Sequence, residues 1–281
     1  MSQFVQSLPE CQPYQTRDGG KLFVRHYPAK SSIAMIILHG ISEDSKYLKP
    51  LAEFISANNL ANVYTPDLRG YGENPVRRGD VDYIGQIEDD IADLIEWIAT
   101  SHCPAKIILA GHSAGGGTAI RFAGSKYVKL VQAYLLLAPL LGPGAPTERP
   151  SDGTLQINKK RLITLFLLNG IGIKKWNYLP VMKNNKPEEL RHGSETLEFS
   201  FRLLISRTPM KYKRDLQKLN KPTLVLAGSN DEVFASDQYE PVFSEYTKAK
   251  VAIVPNESHD GILSNAEIHQ LVKDWIANLD L

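Results

Sequence analysis

Two kinds of apolar patterning alternate along this chain. Short, continuous apolar runs bounded by turn residues lie at 33–38, 62–64, 106–110, 131–138, 223–227 and 251–254. Runs of that kind predict strands buried on both faces. A further strand is predicted at 21–28, after the turn signal Asp18-Gly19-Gly20. Between the runs, apolar residues recur every three or four positions, which predicts amphipathic helices. The helix over 45–57 shows Leu48, Leu51, Ala52, Phe54 and Ile55. The helix over 82–100 shows Ile84, Ile87, Ile91, Leu94, Ile95 and Ile98, with Glu88, Asp89, Asp90 and Glu96 off the stripe. Further helices are predicted near 236–246 and over 265–279, where Asn265 stands at the N-cap. Strand–helix alternation of this sort builds a mostly parallel central sheet with helices on both faces, joined by right-handed crossovers. The alternation stops after Pro139 and resumes at Thr223. Residues 1–139 and 221–281 therefore form an α/β core, and 140–220 a largely helical insertion lying over the carboxyl edge of the sheet.

Composition narrows the class. The 281 residues suffice for one large domain with an insertion, and 43% hydrophobic with 22% charged residues is ordinary for a globular protein. A net charge of +1 makes no case for nucleic acid. Residues 1–15 lack a basic segment followed by an apolar one, so no signal peptide is expected, and no apolar run is long enough to span a membrane. Cys11 and Cys103 form neither a disulfide framework nor a metal-ligand spacing, which suits a reducing, cytoplasmic setting. Charge is unevenly spread: residues 142–220 hold 15 Lys and Arg against 7 Asp and Glu, a net of +8. Within them, 161–173 is strongly apolar and is flanked by Lys159, Lys160 and Arg161 and by Lys174, Lys175 and Trp176. The favoured reading is an insertion helix that roofs a pocket and packs on the core. A second is a peripheral membrane contact, and a third is attraction of carboxylate or phosphate substrates.

The chemistry centres on Gly111-His112-Ser113-Ala114-Gly115, between a predicted strand and a predicted helix. This is the pattern of a nucleophile elbow, a tight strand-to-helix turn that lifts one serine hydroxyl out of the sheet edge. A serine hydroxyl is a weak nucleophile and needs a base, and the base needs an acid to fix its tautomer. In a parallel sheet both must come from loops at the carboxyl ends of strands. The loop after 223–227 offers Asp231, with Glu232 and Asp237 as near alternatives, and the loop after 251–254 offers His259. The oxyanion needs two N–H donors. Ala114, next to the nucleophile, supplies one, and Ile41, in the loop His39-Gly40-Ile41, the other. His39 then shapes that loop, and His112 is buried behind the elbow. No metal or cofactor is required.

On these residues the chain resembles the α/β-hydrolase superfamily. Within it, it looks like the monoacylglycerol lipase and lysophospholipase branch, also grouped with the serine aminopeptidases. Leu38-His39-Gly40-Ile41-Ser42-Glu43-Asp44-Ser45-Lys46-Tyr47 is similar to that branch's His-Gly-x-x-Glu-His-Ser-x-Arg-Tyr, with Asp44 in place of His and Lys46 in place of Arg. Asp67-Leu68-Arg69-Gly70-Tyr71-Gly72 is similar to the superfamily's Asp-x-x-Gly-His-Gly, with Tyr71 in place of His. The resemblance covers the two core segments, and 140–220 takes the place of the family's cap. It implies Ser113 as nucleophile, Asp231 as acid, His259 as base, and Ile41 and Ala114 as oxyanion donors. The expected activity is hydrolysis of small acyl esters with lipid-like or medium-length chains. A peptidase or amide hydrolase on the same residues is the alternative, and a non-catalytic ligand receptor on the same fold is a third reading.

Overall fold

A computed structural model of the chain describes residues 7–102, 104, 106–150 and 153–279. Cys103 lies outside the described residues, and Cys11 is a free thiol. Among the described residues the central sheet has eight strands: β1 (Cys11–Gln15), β2 (Lys21–Tyr27), β3 (Ile33–Leu38), β4 (Asn62–Asp67), β5 (Lys106–His112), β6 (Ala133–Leu137), and two late strands that pair beyond β6. Their order runs β1-β2-β4-β3-β5-β6, then Thr223–Gly228, then Lys250–Val254. The pairs β1–β2 and β2–β4 are antiparallel, and the other pairs are parallel. The sheet centre is buried on both faces: every residue from Ala34 to Leu38 and from Ile108 to Ala110 is fully inaccessible. Each Leu or Ile so buried contributes roughly 1.5–3 kcal/mol. That two-sided burial is why these strands read as continuous apolar runs. The antiparallel β1 was not expected: at the sheet edge it buries only Tyr14 and carries no apolar run.

Helices cover the sheet. α1 (Lys49–Ala57) follows β3, α2 (Gln86–His102) follows β4, and α3 (Ala114–Ala123) follows β5. The predicted helix start at Ser45 is a single 3-10 turn leading into α1, and the 82–100 stripe begins as helix only at Gln86.

The segment between β6 and Thr223 joins two strands that are neighbours in the sheet. It carries α4 (Lys159–Gly170), α5 (Phe201–Arg207) and α6 (Tyr212–Leu216). It also carries a three-stranded antiparallel sheet that the sequence reading did not anticipate: β7 (Leu155–Ile157), β8 (Pro180–Asn184) and β9 (Glu198–Ser200). Such short strands give little period-two signal. The segment is stitched to the core through Ser42: its carbonyl accepts Thr196 N–H at 3.1 Å, and its hydroxyl accepts Asn184 Nδ2 at 2.6 Å. Ser194 Oγ donates to Asp44 Oδ2 at 2.6 Å. The reading of α4 as a helix packed on the core is corrected. Only Leu165 of α4 is buried, in a small separate cluster with Val181, Phe201 and Ile205, while Ile163, Phe166 and Leu167 are exposed.

The late strands are β10 (Thr223–Gly228) and β11 (Lys250–Val254), with α7 (Tyr239–Tyr246) between them and α8 (Ala266–Ala277) after them. α8 packs on α1, and α7 on β11. The carboxyl ends of β3, β5, β10 and β11 thus share one edge, which is where loops in a parallel sheet can meet. At the start of α8, Asn265 Oδ1 accepts the N–H groups of Glu267 and Ile268 at 2.7 and 3.0 Å. Asn265→Ala is expected to cost about 1 kcal/mol and to lower Tm by about 2–4 °C in thermal unfolding followed by circular dichroism. An unchanged Tm would show that this cap adds nothing.

Candidate active site

Ser113 stands between β5 and α3 with φ 56° and ψ −120°, a conformation that costs a non-glycine residue about 1–3 kcal/mol. The surroundings impose it. Ser113 N–H donates to Leu137 O at 2.9 Å, and Ser113 O accepts Leu140 N–H at 2.9 Å and Gly117 N–H at 3.1 Å. The turn has no room for side chains: a Cβ on Gly111 would lie 2.3 Å from the Gly115 backbone, and one on Gly115 would lie 2.1 Å from Leu38 O. The Ser113 side chain is partly exposed, so its hydroxyl is presented rather than buried.

The two late loops converge here. His259 Nδ1 lies 2.9 Å from Asp231 Oδ2. Asp231 Oδ1 accepts the Val233 and Phe234 N–H groups, each at 2.8 Å. Those bonds anchor the carboxylate, which can then only accept from the ring. The proton of His259 therefore sits on Nδ1, and Nε2 carries a free lone pair. The alternative acids are placed elsewhere: Glu232 accepts the backbone N–H of His259 at 3.0 Å, and Asp237 is exposed and bonds Gln238. The ring of His112, the residue before Ser113, lies 4.6 Å from the ring of His259.

His39-Gly40-Ile41 forms the third wall. A Cβ on Gly40 would lie 3.7 Å from Ser113 Cβ, so this loop runs directly beside the serine. His39 Nε2 accepts Leu68 N–H at 3.1 Å, which puts the His39 proton on Nδ1, 2.9 Å from Gly40 O. Burial first, and the Arg207 charge second, lower His39 to about 3, so it is neutral. Ile41 N–H has no hydrogen-bond acceptor among the described residues. Ala114 N–H opens α3 and has no intrahelical acceptor either. Two free donors thus flank Ser113, one of them at the positive end of a helix.

A directional chain of hydrogen bonds runs behind the site. Gly40 N–H donates to Tyr47 Oη at 2.7 Å, and Tyr47 Oη lies 2.7 Å from His112 Nδ1. His112 Nε2 lies 3.0 Å from His259 O. A carbonyl only accepts, so His112 is protonated on Nε2 and takes the Tyr47 proton as acceptor at Nδ1. Burial holds the Tyr47 phenol well above its ordinary range, which keeps that proton on oxygen. His112 is buried behind the elbow, as its place in the motif predicts, whereas the pattern of the sequence assigns Tyr47 no role. His112, His259 and exposed Asp260 each bring one potential ligand atom within 4.8 Å of the others. Both nitrogens of His112 are already engaged, so hydrogen bonding accounts for that cluster. Elsewhere, a cavity of about 220 Å³ between β2 and the 67–82 loop is lined by Asp18, Asp67, Arg69, Glu73, Arg77 and Asp80. Arg69 pairs there with Asp18, Arg77 with Asp80 and Glu73 with Lys46, while Asp67 accepts Ser45 N–H at 2.8 Å.

Comparison with known proteins identifies the family and the fold. The profile of the family described as "Serine aminopeptidase, S33" matches residues 29–263. The monoglyceride lipase of Homo sapiens is 26% identical over 240 residues, which span 80% of this chain and 76% of that protein. Among solved structures, a soluble variant of monoglyceride lipase from Saccharomyces cerevisiae, in complex with a substrate analog, superposes with a TM-score of 0.69 at 19% identity. That match covers 98% of this chain and 97% of the other. A thermophilic esterase from Thermogutta terrifontis gives a TM-score of 0.63 at 19% identity, covering 95% of this chain and 98% of that one. At such identities the structural likeness shows the α/β-hydrolase fold.

The buried, neutral His112 has a consequence for stability. Burial, and then the His259 charge, hold it well below 6.5 in the folded chain. As pH falls through 6.5 the unfolded chain takes up a proton that the folded chain refuses, so this group's contribution is lost on acidification. From pH 7 to pH 5 the loss is about 2 kcal/mol. His112→Gln lacks the titrating ring, and its urea-unfolding stability is expected to fall by about 2 kcal/mol less than that of the parent over the same interval. Equal losses would show that His112 titrates normally.

Proposed function

The chain belongs to the serine aminopeptidase S33 family of α/β-hydrolases, and from that premise we propose that it is a serine hydrolase of carboxylic esters with apolar acyl chains. The observation that carries the reading is the 2.9 Å contact between Asp231 Oδ2 and His259 Nδ1, in a loop that packs on the residue preceding Ser113. His259 Nε2 takes the Ser113 proton as Oγ attacks the acyl carbonyl. The Ile41 and Ala114 N–H groups receive the negative charge that develops on the carbonyl oxygen. His259 returns the proton to the leaving alcohol, then activates water to release the acid and free Ser113. Asp231 stabilises the imidazolium throughout.

Segment 140–220 acts as a cap over this edge. The relatives' description as monoglyceride lipases supports an acyl ester as substrate. The family's description as aminopeptidase supports a second reading, amide hydrolysis on the same residues. A fluorophosphonate is expected to label the parent chain and not Ser113→Ala. His259→Ala is expected to lower kcat by at least about 10⁴-fold while remaining folded. A loss below tenfold would assign the base elsewhere. Turnover of p-nitrophenyl esters of increasing chain length should exceed that of aminoacyl-p-nitroanilides, and the reverse ranking would favour the amide reading.

The exposure of α4 supports a membrane contact. Ile163, Leu167 and Ile171 are 58%, 69% and 73% exposed, and Lys159, Lys160, Lys174 and Lys175 beside them are exposed too. Apolar side chains ringed by lysines suit an anionic lipid surface. No helix among the described residues is long and apolar enough to cross a membrane, so this contact is peripheral. Sedimentation with phosphatidylserine vesicles is expected to retain the parent chain and to release Leu167→Glu. Equal retention would place the contact elsewhere or nowhere.

A further inference from the structure

Arg207, the last residue of α5, is the largest fully buried side chain among the described residues. It has no carboxylate within 4.0 Å among the described residues. A buried guanidinium without a counter-charge is expensive and calls for compensating hydrogen bonds. Arg207 finds them in one place. Nη2 donates to His39 O, Nη1 donates to Gly40 O at 3.3 Å, and Nε donates to Thr118 Oγ1 at 3.2 Å. Thr118 Oγ1 in turn donates to Ala114 O at 2.8 Å. The guanidinium also lies 4.9 Å from the Tyr71 ring centroid, a cation–π contact.

Two of these partners are carbonyls of the loop that runs beside Ser113. In a trans peptide the carbonyl and the following N–H point in opposite directions within one plane. Gly40 O and Ile41 N–H belong to one such plane. Arg207 Nη1 and His39 Nδ1 both hold that oxygen, so the Ile41 N–H must point the other way. The preceding plane is fixed at both ends, with His39 O on Arg207 and Gly40 N–H on Tyr47. Gly40 would otherwise let the plane rotate, since glycine resists few backbone conformations. Through Thr118, the same side chain is tied to Ala114, the other donor residue. A cation at the carbonyl end of a peptide also polarises it and makes its N–H a stronger donor.

We propose that Arg207 is the positioning residue of the oxyanion hole: it sets the Gly40–Ile41 peptide plane and ties it to the start of α3. This rests on the serine-hydrolase reading above. The test compares the parent chain with Arg207→Met, Arg207→Lys and Thr118→Val, using p-nitrophenyl butyrate and an alkyl boronic acid. The boronic acid forms a tetrahedral adduct on serine and so reports on the donors, whereas KM reports on ground-state binding. Arg207→Met is expected to lower kcat by about 10²-fold, to weaken boronate inhibition by a similar factor, and to leave KM within about twofold. Arg207→Lys, which reaches one carbonyl in place of two, should recover part of both losses. Thr118→Val removes the Nε contact and the bond to Ala114 O while leaving both carbonyl contacts of Arg207; it should show the same pattern at smaller size, and it carries the test if Arg207→Met does not fold. Unchanged kcat and boronate affinity in the folded variants would overturn the role of Arg207 while leaving the serine hydrolase intact. Equal losses in KM and kcat would also overturn it, as a role in substrate binding. A parent chain that neither turns over the ester nor binds the boronate would remove both proposals together.

Discussion

A tight backbone approach at the centre of this fold lies between Gly115 and the end of β3, where any side chain would meet Leu38 O at 2.1 Å. That approach determines most of the site. It presses the first turn of α3 onto the loop that follows β3, and so brings that loop beside the serine. It also forces the chain between β5 and α3 through the positive-φ conformation of Ser113, which no isolated sequence would hold. The two-sided burial of β3 and β5 resists relaxation of that strain, because moving either strand would open a cavity in the densest part of the core. The strained serine is therefore stable only as part of the sheet, and the sheet's tight centre is what presents it.

Around that contact, polar groups are arranged so that each proton has one place to go. Asp231 can only accept, so His259 donates from Nδ1. The His259 carbonyl can only accept, so His112 donates from Nε2 and receives Tyr47 at Nδ1. Leu68 N–H can only donate, so His39 carries its proton on Nδ1 and turns it to Gly40 O. Three histidines near the serine are thereby held in fixed tautomers, and one of them, His259, keeps a free nitrogen. In a low-dielectric site a mistake in any of these assignments would leave a buried donor facing a donor.

The legible part of this molecule was the part whose physics is local. Strands β3, β5, β6 and β10 are buried on both faces, so they read directly as apolar runs, and the elbow's glycines mark a turn too tight for side chains. Asp231 and His259 could be placed because they follow apolar strand runs, although β11, at the sheet edge, is only partly buried. Other features left no local trace. β1 is an edge strand that buries a single tyrosine, and β7 to β9 are too short to show alternation. The apolar run in α4 suggested core packing, yet its helical spacing turns Ile163, Phe166 and Leu167 outward. Arg207 was illegible for a different reason. Its partners are backbone carbonyls, which every residue has, so neither end of the interaction carries a sequence signature.

The three places where the core departs from the motifs it resembles have a common structural setting. Asp44 receives Ser194, Lys46 Nζ donates to Ser194 Oγ at 3.3 Å, and the Tyr71 ring meets Arg207 and Phe199. Ser194, Phe199 and Arg207 all belong to the segment between β6 and β10. The Tyr71 ring offers the guanidinium a neutral π face as a cation–π partner. An acid at position 44 likewise accepts the Ser194 hydroxyl, and Lys46 lies 3.6 Å from the same carboxylate. The core residues around the site are thus fitted to this particular segment. If the segment is the cap of the proposed function, it is more than a cover: through Arg207 it holds Gly40 O beside the serine, so under that proposal a replacement segment from a relative would have to supply its own hold on that carbonyl.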